Sequence, residues 1–529
     1  MAEHPSLHTP LEEVIEELGE GSTYPHPPHK ENSKADINRP LITFGIMAAT
    51  IMQSLDSTIA NVALPQMQGA LSATQDQMGW VLTSYIIAAA IMIPLTGWLA
   101  GRFGRKKVFL ISIVGFTVTS ALCGLSESLP EIVLFRLLQG ISGAALVPLS
   151  QAVLFDINPP EQHGKAMSIW GVGVTLGPIL GPLLGGWLTQ DYSWRWVFFI
   201  NVPIGVIAFL ILSTSMEETK KLFSKFDFFG FITLALSIFA LQMFLDRGEL
   251  KDWFNSNEII IEAMLACVAF YYFLVHSFTY SRPFLSPSLF ADRNFVTANI
   301  FIFIIGVVLF ATLALIPPML QNEMGYPSII SGIVLAPRGI GTMIGMMVVG
   351  RLMGIFDVRI IISIGLGLTA FSLWQMTNFN LLMNENLVII SGITQGFGVG
   401  LVYVPLSTIA FSTLPVSLRN EGTALFNLLR NLGSAIGISA VETLLTRNTQ
   451  IVHSSIVEHI TPYNLQNPAF ISLNIDPNTL VGMSRLNHMI TKQAAMIAYI
   501  DDYQLMMVLT IAVIPLLMLL RPVAKLQNS

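Results

Sequence analysis

Charged residues are scarce in this sequence, since only 11% of its 529 residues are Asp, Glu, Lys or Arg. Soluble domains carry about 25% charged residues, so the composition excludes a soluble enzyme and a disordered scaffold. The formal net charge of −6 leaves no excess of cations for a nucleic-acid backbone. With 53% hydrophobic residues, the sequence instead predicts an all-α polytopic membrane protein embedded in the lipid bilayer.

Other absences narrow the function. The two cysteines, Cys123 and Cys267, fall inside apolar runs, which excludes a disulfide framework and a cysteine metal site. No GxxxxGK[ST], HExxH or GxSxG motif occurs, so we expect no ATPase site, no catalytic residues, no metal and no cofactor. Residues 1–40 are polar and lack a signal-peptide pattern; they predict a tail that is either disordered or a short amphipathic helix near Leu11–Leu18.

Fourteen apolar runs of membrane-spanning length follow this tail. In chain order these predicted spans cover about 41–63, 78–99, 107–125, 131–153, 165–189, 196–215, 228–246, 258–277, 297–319, 329–351, 359–378, 387–411, 419–443 and 503–521. Most connections are short. The exception is a polar stretch at about 445–500, in which Met489–Ile500 can form a small helical element.

The distribution of Lys and Arg predicts the orientation. The tails and the loops on their side hold 18 basic residues, whereas the opposite loops hold 6. Because basic residues accumulate on the cytoplasmic side, both termini are predicted in the cytoplasm and 445–500 outside.

Two similar segments indicate an internal repeat. Gly97–Lys107 after span 2 and Gly350–Arg359 after span 10 place Gly, Leu, Gly and basic residues at the same offsets. Repeated halves are typical of secondary transporters, whose substrate site lies between them. The predicted organisation is a cytoplasmic tail at 1–40, a six-helix half at 41–215, an inserted helix pair at 216–296, a second six-helix half at 297–521 and a tail at 522–529.

Five charged residues inside the spans are candidates for proton coupling or substrate binding. Asp56 in span 1 can bind and release a proton, or it is a structural carboxylate hydrogen-bonded to a neighbouring helix. Arg136 in span 4 is permanently charged and needs a partner, either in coupling or in a static bridge. Glu442 in span 13 is a second proton-coupling candidate or simply interfacial, and Arg338 and Arg430 are assigned to the substrate cavity.

Span 5 carries an extended Gly-Pro array that predicts close helix packing and bending. This array and the loop after span 2 form the predicted conformational motif, which comprises Gly97, Arg102, Gly104, Arg105, Gly173, Gly177, Pro178, Gly181, Pro182, Gly185 and Gly186. Aromatic and polar residues of several spans predict an apolar, adaptable cavity, although lipid or core packing is the favoured explanation for any one of the aromatic residues taken alone. The cavity residues are Asn61, Tyr85, Gln139, Trp170, Phe301, Arg338, Gln395, Tyr403, Phe426, Asn427 and Arg430.

Several segments together resemble the 14-span drug:proton antiporters of the major facilitator superfamily: LDSTIANVALP around Asp56, GWLAGRFGRKK, FRLLQG around Arg136, the Gly-Pro span, WRWVFFINVPIG and MFLDRGELKDWF. The resemblance implies a major facilitator fold with two six-helix halves and an inserted pair. It also implies Asp56 as the proton-binding residue with Arg136 as its charge partner, and lipophilic drug-like compounds and protons as substrates. Its implied partners are a periplasmic adaptor of the EmrA type and an outer-membrane channel of the TolC type.

One departure concerns the loop after span 2. The superfamily pattern has an Asp where this chain has Gly101, and the second copy has Gly354 at the same place. We therefore expect cytoplasmic gating to depend on Arg102, Arg105 and backbone contacts. The predicted function is proton-driven multidrug efflux; the alternatives are a narrow-substrate exporter, a symporter and a non-transporting assembly or sensor protein.

Overall fold

The structure is a computed structural model that describes residues 38–219, 221, 225–281, 283–353, 355–415, 418–460 and 479–520. Most of the predicted N-terminal tail, the C-terminal tail, Gly354 and the middle of the predicted outer loop lie outside these residues.

Long α-helices make up most of the described residues, which contain no β-strand. Thirteen of the described helices are long and apolar enough to cross a membrane. The first helix is not among them, but its 32 residues extend about 48 Å and complete the predicted fourteen. The helices are α1 (Arg39–Ala70), α2 (Gln75–Phe103), α3 (Arg105–Leu125), α4 (Leu129–Ile157), α5 (His163–Asp191), α6 (Trp196–Ser215), α7 (Phe228–Arg247), α8 (Asn257–Thr279), α9 (Arg293–Pro318), α10 (Ser328–Leu352), α11 (Val358–Met376), α12 (Glu385–Ser412), α13 (Arg419–Glu458) and α14 (Leu480–Val513).

The fourth helix is interrupted between Gly143 and Leu146. Pro148 has no N–H to donate to the carbonyl of Ala144, so the helix lacks one backbone hydrogen bond at this turn. The interruption leaves the predicted span in place, since Leu129–Ile157 is still long and apolar enough to cross a membrane.

The boundaries predicted for the last two spans are also wrong. Helix α13 continues to Glu458 and α14 already begins at Leu480, so much of the predicted loop is helical. The segment Met489–Ile500 belongs to α14 and is not a separate element. Polar residues outside the apolar runs still permit a helix, and here Nε2 of His453 lies 2.9 Å from Oδ1 of Asn487, across the two helices.

The packing of the first six helices recurs eight helices further along the chain. Helix α1 packs on α5, α2 on α4 and α3 on α6, and likewise α9 packs on α13, α10 on α12 and α11 on α14. The two sets meet where α5 packs on α10 and α13 packs on α2. This pattern is the one that a duplicated six-helix unit produces, while the predicted domain boundaries themselves stay a prediction.

The seventh and eighth helices pack on each other, and the seventh contacts both sets. Helix α7 packs on α2 and on α13. The hydroxyl of Thr83 donates to Oδ2 of Asp246 at 2.7 Å, and the hydroxyl of Ser439 donates to the carbonyl oxygen of Leu245 at 3.0 Å. The end of α7 therefore joins a helix of the first set to one of the second.

Candidate functional site

Asp56 lies in the middle of α1, and its side chain is 0% exposed. Its Oδ2 accepts a hydrogen bond from Nη1 of Arg136 on α4 at 2.6 Å, which makes an ion pair. A buried carboxylate is stable at membrane depth when a cation compensates its charge. The structure thus brings together two of the three residues predicted for proton coupling.

Neutral side chains complete the surroundings of this ion pair. Gln139 and Asn201 each donate an amide N–H to Oδ1 of Asp56 at 2.9 Å. The guanidinium carbon of Arg136 lies 4.3 Å from the ring centroid of Tyr85, within the range of a cation–π contact. We call Asp56, Arg136, Gln139, Asn201 and Tyr85 the paired cluster. Both carboxylate oxygens of Asp56 thus accept hydrogen bonds from N–H donors.

The sequence did not predict Asn201, which is fully buried in α6. Its amide also donates to the hydroxyl of Ser120 at 3.0 Å, and that hydroxyl donates to the carbonyl oxygen of Phe198 at 2.8 Å. Asn201 thereby connects the paired cluster to α3. The signal that could have found it is a lone amide side chain within the apolar run of span 6.

The Gly-Pro array of α5 brings that helix against the segment of α1 that carries Asp56. A Cβ on Gly181 would meet the side chain of Thr58. Pro178 cannot donate to the carbonyl of Val174, and the hydroxyl of Ser54 donates to that carbonyl oxygen at 2.7 Å instead. The glycine face of α5 therefore packs against hydroxyl side chains of α1 that precede and follow Asp56 in the sequence.

Other glycines of α5 extend its contacts along α1 and across to α10. Cβ atoms on Gly173 and Gly185 would meet side chains of α1, whereas a Cβ on Gly171 would meet Met346 of α10. Helix α5 thus lies between α1 of its own set and α10 of the other. Of the remaining array residues, Pro178 is exposed, and Pro182 and Gly186 are half-buried.

At the predicted cytoplasmic end, charged residues join the two sets of helices. Arg105 forms an ion pair with Asp156 at the end of α4, and Arg419 of α13 donates to the other oxygen of Asp156 at 3.1 Å. A Cβ on Gly97 would lie 3.1 Å from the backbone of Glu421. The sequence predicted Arg105 and Gly97 here but missed Asp156 and Arg419, whose separation of 263 positions hides their pairing.

The loop between α2 and α3 is shaped by a helix cap. Gly104 has a φ of +94°, which favours glycine. The carboxylate of Glu218 accepts hydrogen bonds from the backbone N–H groups of Lys106 and Lys107, both at 3.2 Å. Arg102 is half-buried. A Cβ on Gly101 would have open space around it, so packing does not require glycine at that position.

Five of the predicted cavity residues adjoin one another where the two sets of helices meet. The rings of Trp170 on α5 and Tyr403 on α12 stack at 6.2 Å, and Phe426 lies 6.4 Å from Tyr403. Arg430 donates to the Tyr403 hydroxyl at 3.1 Å, and the neighbouring Asn427 donates to the side-chain oxygen of Gln151 on α4 at 2.7 Å. We call Trp170, Tyr403, Phe426, Asn427 and Arg430 the interface group.

Three other buried polar residues lie within the second set. Arg338 on α10 is 5% exposed and donates to the carbonyl oxygen of Leu309 at 3.3 Å. Gln395 on α12 donates to the hydroxyl of Thr312 at 3.2 Å. Nη1 of Arg338, Oε1 of Gln395 and Oδ2 of Asp502 on α14 are buried, and none finds a hydrogen-bond partner among the described residues. We call Arg338, Gln395 and Asp502 the unpaired group.

The other predicted residues do not join one site. Phe301 lines a small apolar cavity between α9, α11, α12 and α14, and Asn61 is exposed. Glu442 is exposed on α13 beside Asp246 of α7, away from the paired cluster. The structure distributes the predicted cavity residues over separate groups, because side chains on one predicted span point in different directions around its helix, and their role as one substrate cavity stays a prediction.

Comparisons with known proteins agree with this architecture. Residues 46–438 match the family described as Major Facilitator Superfamily. The multidrug export protein EmrB of Escherichia coli is 38% identical over 427 residues, covering 80% of this chain and 83% of that protein. The EmrB protein of Haemophilus influenzae is 37% identical, covering 80% and 84%. The fatty acid resistance protein FarB of Neisseria gonorrhoeae is 36% identical over 487 residues, covering 91% and 96%.

Solved structures give the same fold. The human organic anion transporter MFSD10 has a TM-score of 0.55 at 14% identity, covering 89% of this chain and 98% of its own. The proton:xylose symporter XylE also has a TM-score of 0.55 at 14% identity, covering 88% and 95%. The prediction of a major facilitator fold is confirmed.

Proposed function

This chain belongs to the Major Facilitator Superfamily and is a multi-pass membrane transporter, and on that premise we propose that it exports hydrophobic compounds in exchange for protons. The relatives named for multidrug export and fatty acid resistance support outward transport of apolar compounds. In this proposal, the chain lies in a bacterial inner membrane with both termini in the cytoplasm. Protons enter from the outer side and substrate leaves toward it.

The observation that carries the proposal is the buried ion pair between Asp56 and Arg136. Protonation of Asp56 removes the charge that Arg136 compensates, and breaking a buried pair costs about 3–5 kcal/mol. A proton-motive force of about 150 mV supplies roughly 3.5 kcal/mol per charge moved. Because the two energies are similar, proton entry can shift the balance between two conformations.

The contacts of α5 suggest how that shift reaches the substrate. Its bare face packs on α1 beside Asp56, and its opposite face packs on α10. Small residues allow two helices to slide or rock with little steric change. In the proposed cycle of alternating access, rearrangement at Asp56 moves α1 against α5, and the two sets of helices rock about their shared contacts.

The interface group is the proposed substrate-binding region. Nε1 of buried Trp170 and Oδ1 of buried Asn427 have no hydrogen-bond partner among the described residues. Stacked aromatic rings provide an apolar surface, and a few unsatisfied polar atoms beside them can accept varied ligands. This chemistry fits broad selection of hydrophobic compounds better than recognition of one polar substrate.

Proteoliposomes with an imposed pH gradient test the proposal, with ethidium as a fluorescent probe. Wild type is compared with Asp56→Asn and with the matched control Asp191→Asn, an exposed carboxylate at the end of α5. We expect gradient-driven movement in wild type and Asp191→Asn and its loss in Asp56→Asn. Movement in the same direction as protons would identify a symporter, and unchanged movement in Asp56→Asn would contradict the role of Asp56.

The relative named FarB favours a second candidate, export of fatty acids, because the match covers 96% of that protein. A panel that adds a fluorescent fatty acid to the same proteoliposomes separates the two. Movement of the fatty acid without ethidium would indicate a narrow-substrate exporter.

We further propose assembly with a periplasmic adaptor of the EmrA type and an outer-membrane channel of the TolC type. The support is the length of α13, which at 40 residues extends about 60 Å and exceeds the roughly 30 Å hydrocarbon core. With α14 it forms an outer hairpin on which Val481 is 65% exposed. A photo-crosslinker at Val481→Cys should capture a co-expressed adaptor, whereas one at Leu382→Cys, exposed in the α11–α12 connection, should not. Wild-type transport without any adaptor capture would oppose the assembly.

A further inference from the structure

Asp502 is the buried carboxylate that the proposed cycle leaves unused. It lies on α14 with 1% exposure, and its Oδ2 has no hydrogen-bond partner among the described residues. None of the ion pairs formed by the described residues includes it. Asp56, by contrast, is equally buried but is compensated by Arg136.

The packing around Asp502 is apolar. Tyr499 and Tyr503 on its own helix are buried in a core with Leu373 of α11, with Phe379 just after α11 and with Met319 just after α9. An ionised carboxylate in such surroundings costs several kcal/mol unless a cation pairs with it. Asp502 therefore carries a proton in this conformation.

Charged groups on the neighbouring helices reinforce this conclusion. Glu323, at the end of the segment after α9, and Glu442 of α13 act electrostatically together with Asp502 on the Tyr499 hydroxyl. The ammonium of Lys492 bonds to the carbonyl oxygen of Glu323 at 3.3 Å and balances that residue. The neighbouring Asp501 is exposed and adds another negative charge.

The buried cation available to Asp502 within the second set is Arg338. Both Asp502 and Arg338 of α10 act electrostatically on the Tyr503 hydroxyl, and Arg338 is buried without a carboxylate partner among the described residues. A shift of α14 relative to α10 that brought the two together would stabilise the carboxylate and release its proton. The second set thus contains an acid, Asp502, and a guanidinium, Arg338, that form no ion pair with each other in this conformation.

We propose that Asp502 is a second proton-binding residue of the transport cycle, protonated while Asp56 is paired with Arg136. The proton binds one carboxylate oxygen from the predicted outer side and leaves when Asp502 gains Arg338 or water. This inference rests on the proposed proton-coupled export and adds a second proton site to it.

Difference infrared spectroscopy tests the protonation itself, without any substrate. A protonated carboxyl has a C=O stretching band that a carboxylate lacks. The spectrum of wild type minus Asp502→Asn should show one such band at neutral pH, and wild type minus Asp501→Asn should show none. Absence of the Asp502 band would overturn the proposal. Asn has nearly the same shape as a protonated Asp and should preserve the fold.

Proton release on ethidium binding, followed in weakly buffered detergent solution, tests the role in the cycle. Because Asp56 is already paired with Arg136 in this conformation, the release should come from Asp502: Asp502→Asn should lose most of the wild-type release, whereas Asp56→Asn and Asp501→Asn should keep it. Complete loss in Asp56→Asn would overturn the second site, even if Asp502→Asn failed to fold. Loss in Asp502→Asn together with unchanged gradient-driven ethidium movement in Asp56→Asn would instead contradict the Asp56 assignment of the proposed function and retain this one.

Discussion

The two sets of helices differ in whether their buried acidic and basic side chains form an ion pair. In the first, the carboxylate of Asp56 and the guanidinium of Arg136 are 2.6 Å apart and surrounded by amide donors. In the second, Asp502 and Arg338 are both buried and remain separate. The same packing pattern of helices therefore pairs one acid with a cation and leaves the other without one. Two sites that differ in this way can exchange roles when the transporter changes conformation.

The largest expected effect comes from removing Arg136, the cation of the first set, and the matched change removes Arg338 from the second. Arg136→Gln leaves Asp56 buried without compensation, and we expect a loss of about 3–5 kcal/mol in the free energy of unfolding. Arg338→Gln removes a cation that has no acid partner, so its effect should be much smaller or stabilising. Thermal unfolding in detergent measures both. The loss in Arg136→Gln should shrink as the pH falls, because protonation neutralises Asp56; equal losses at all pH values would contradict the comparison.

The amides of the two groups give the next contrast. Asn201→Leu removes an N–H donor from the Asp56 carboxylate and should destabilise the protein by about 1.5–3 kcal/mol. Gln395→Leu removes a hydrogen bond to the neutral hydroxyl of Thr312, so we expect a smaller loss. The same unfolding measurements compare them. A larger loss in Gln395→Leu would show that the second group is better satisfied than its geometry indicates.

A third prediction concerns the contact that couples α1 to α5. A Cβ on Gly177 would lie 2.5 Å from the backbone carbon of Ser54, so Gly177→Ala should push the helices apart. We expect a cost of about 1–3 kcal/mol and a loss of ethidium transport. Gly367→Ala on α11 is the control, because its Cβ meets open space. Normal transport by Gly177→Ala would remove α5 from the proposed coupling.

The smallest effect is expected in the loop after α2. Gly101→Asp restores the superfamily carboxylate at a position with open space, so the free energy of unfolding should change by less than about 0.5 kcal/mol. Transport should persist, since Asp156 already joins Arg105 to Arg419. Transport assays of Gly101→Asp and Asp156→Asn test this expectation. If Gly101→Asp lost transport and Asp156→Asn kept it, position 101 and not Asp156 would be the one that matters for transport.

The sequence predicted the helix count and the paired charges because both depend on composition along one helix. Asp56 and Arg136 are conspicuous as charges within apolar runs. Their amide partner Asn201 carries no charge, and Asp156 and Arg419 meet only after folding, so none of these was found. Such contacts depend on how helices rotate and pack, which apolar periodicity does not determine.

Asp502 shows how a small boundary error hides a site. The last span was predicted at 503–521, which placed Asp502 one residue outside it and therefore in a polar loop. In the structure α14 begins at Leu480, and Asp502 lies on its buried face. Glu442 is the reverse case, since its predicted coupling role came from its position inside a span, whereas its side chain is exposed beside α7.

The most direct test of proton exchange at Asp56 drives transport with an ethidium gradient and measures the proton movement that results. Proteoliposomes are loaded with ethidium and a fluorescent pH indicator, and dilution creates an outward ethidium gradient without an initial pH gradient. Wild type should couple ethidium movement to proton movement in the opposite direction. Asp56→Asn should still exchange ethidium across equal concentrations but should move no protons in response to the gradient. Ethidium-driven proton movement at the wild-type rate in Asp56→Asn would contradict the central role of the Asp56–Arg136 pair.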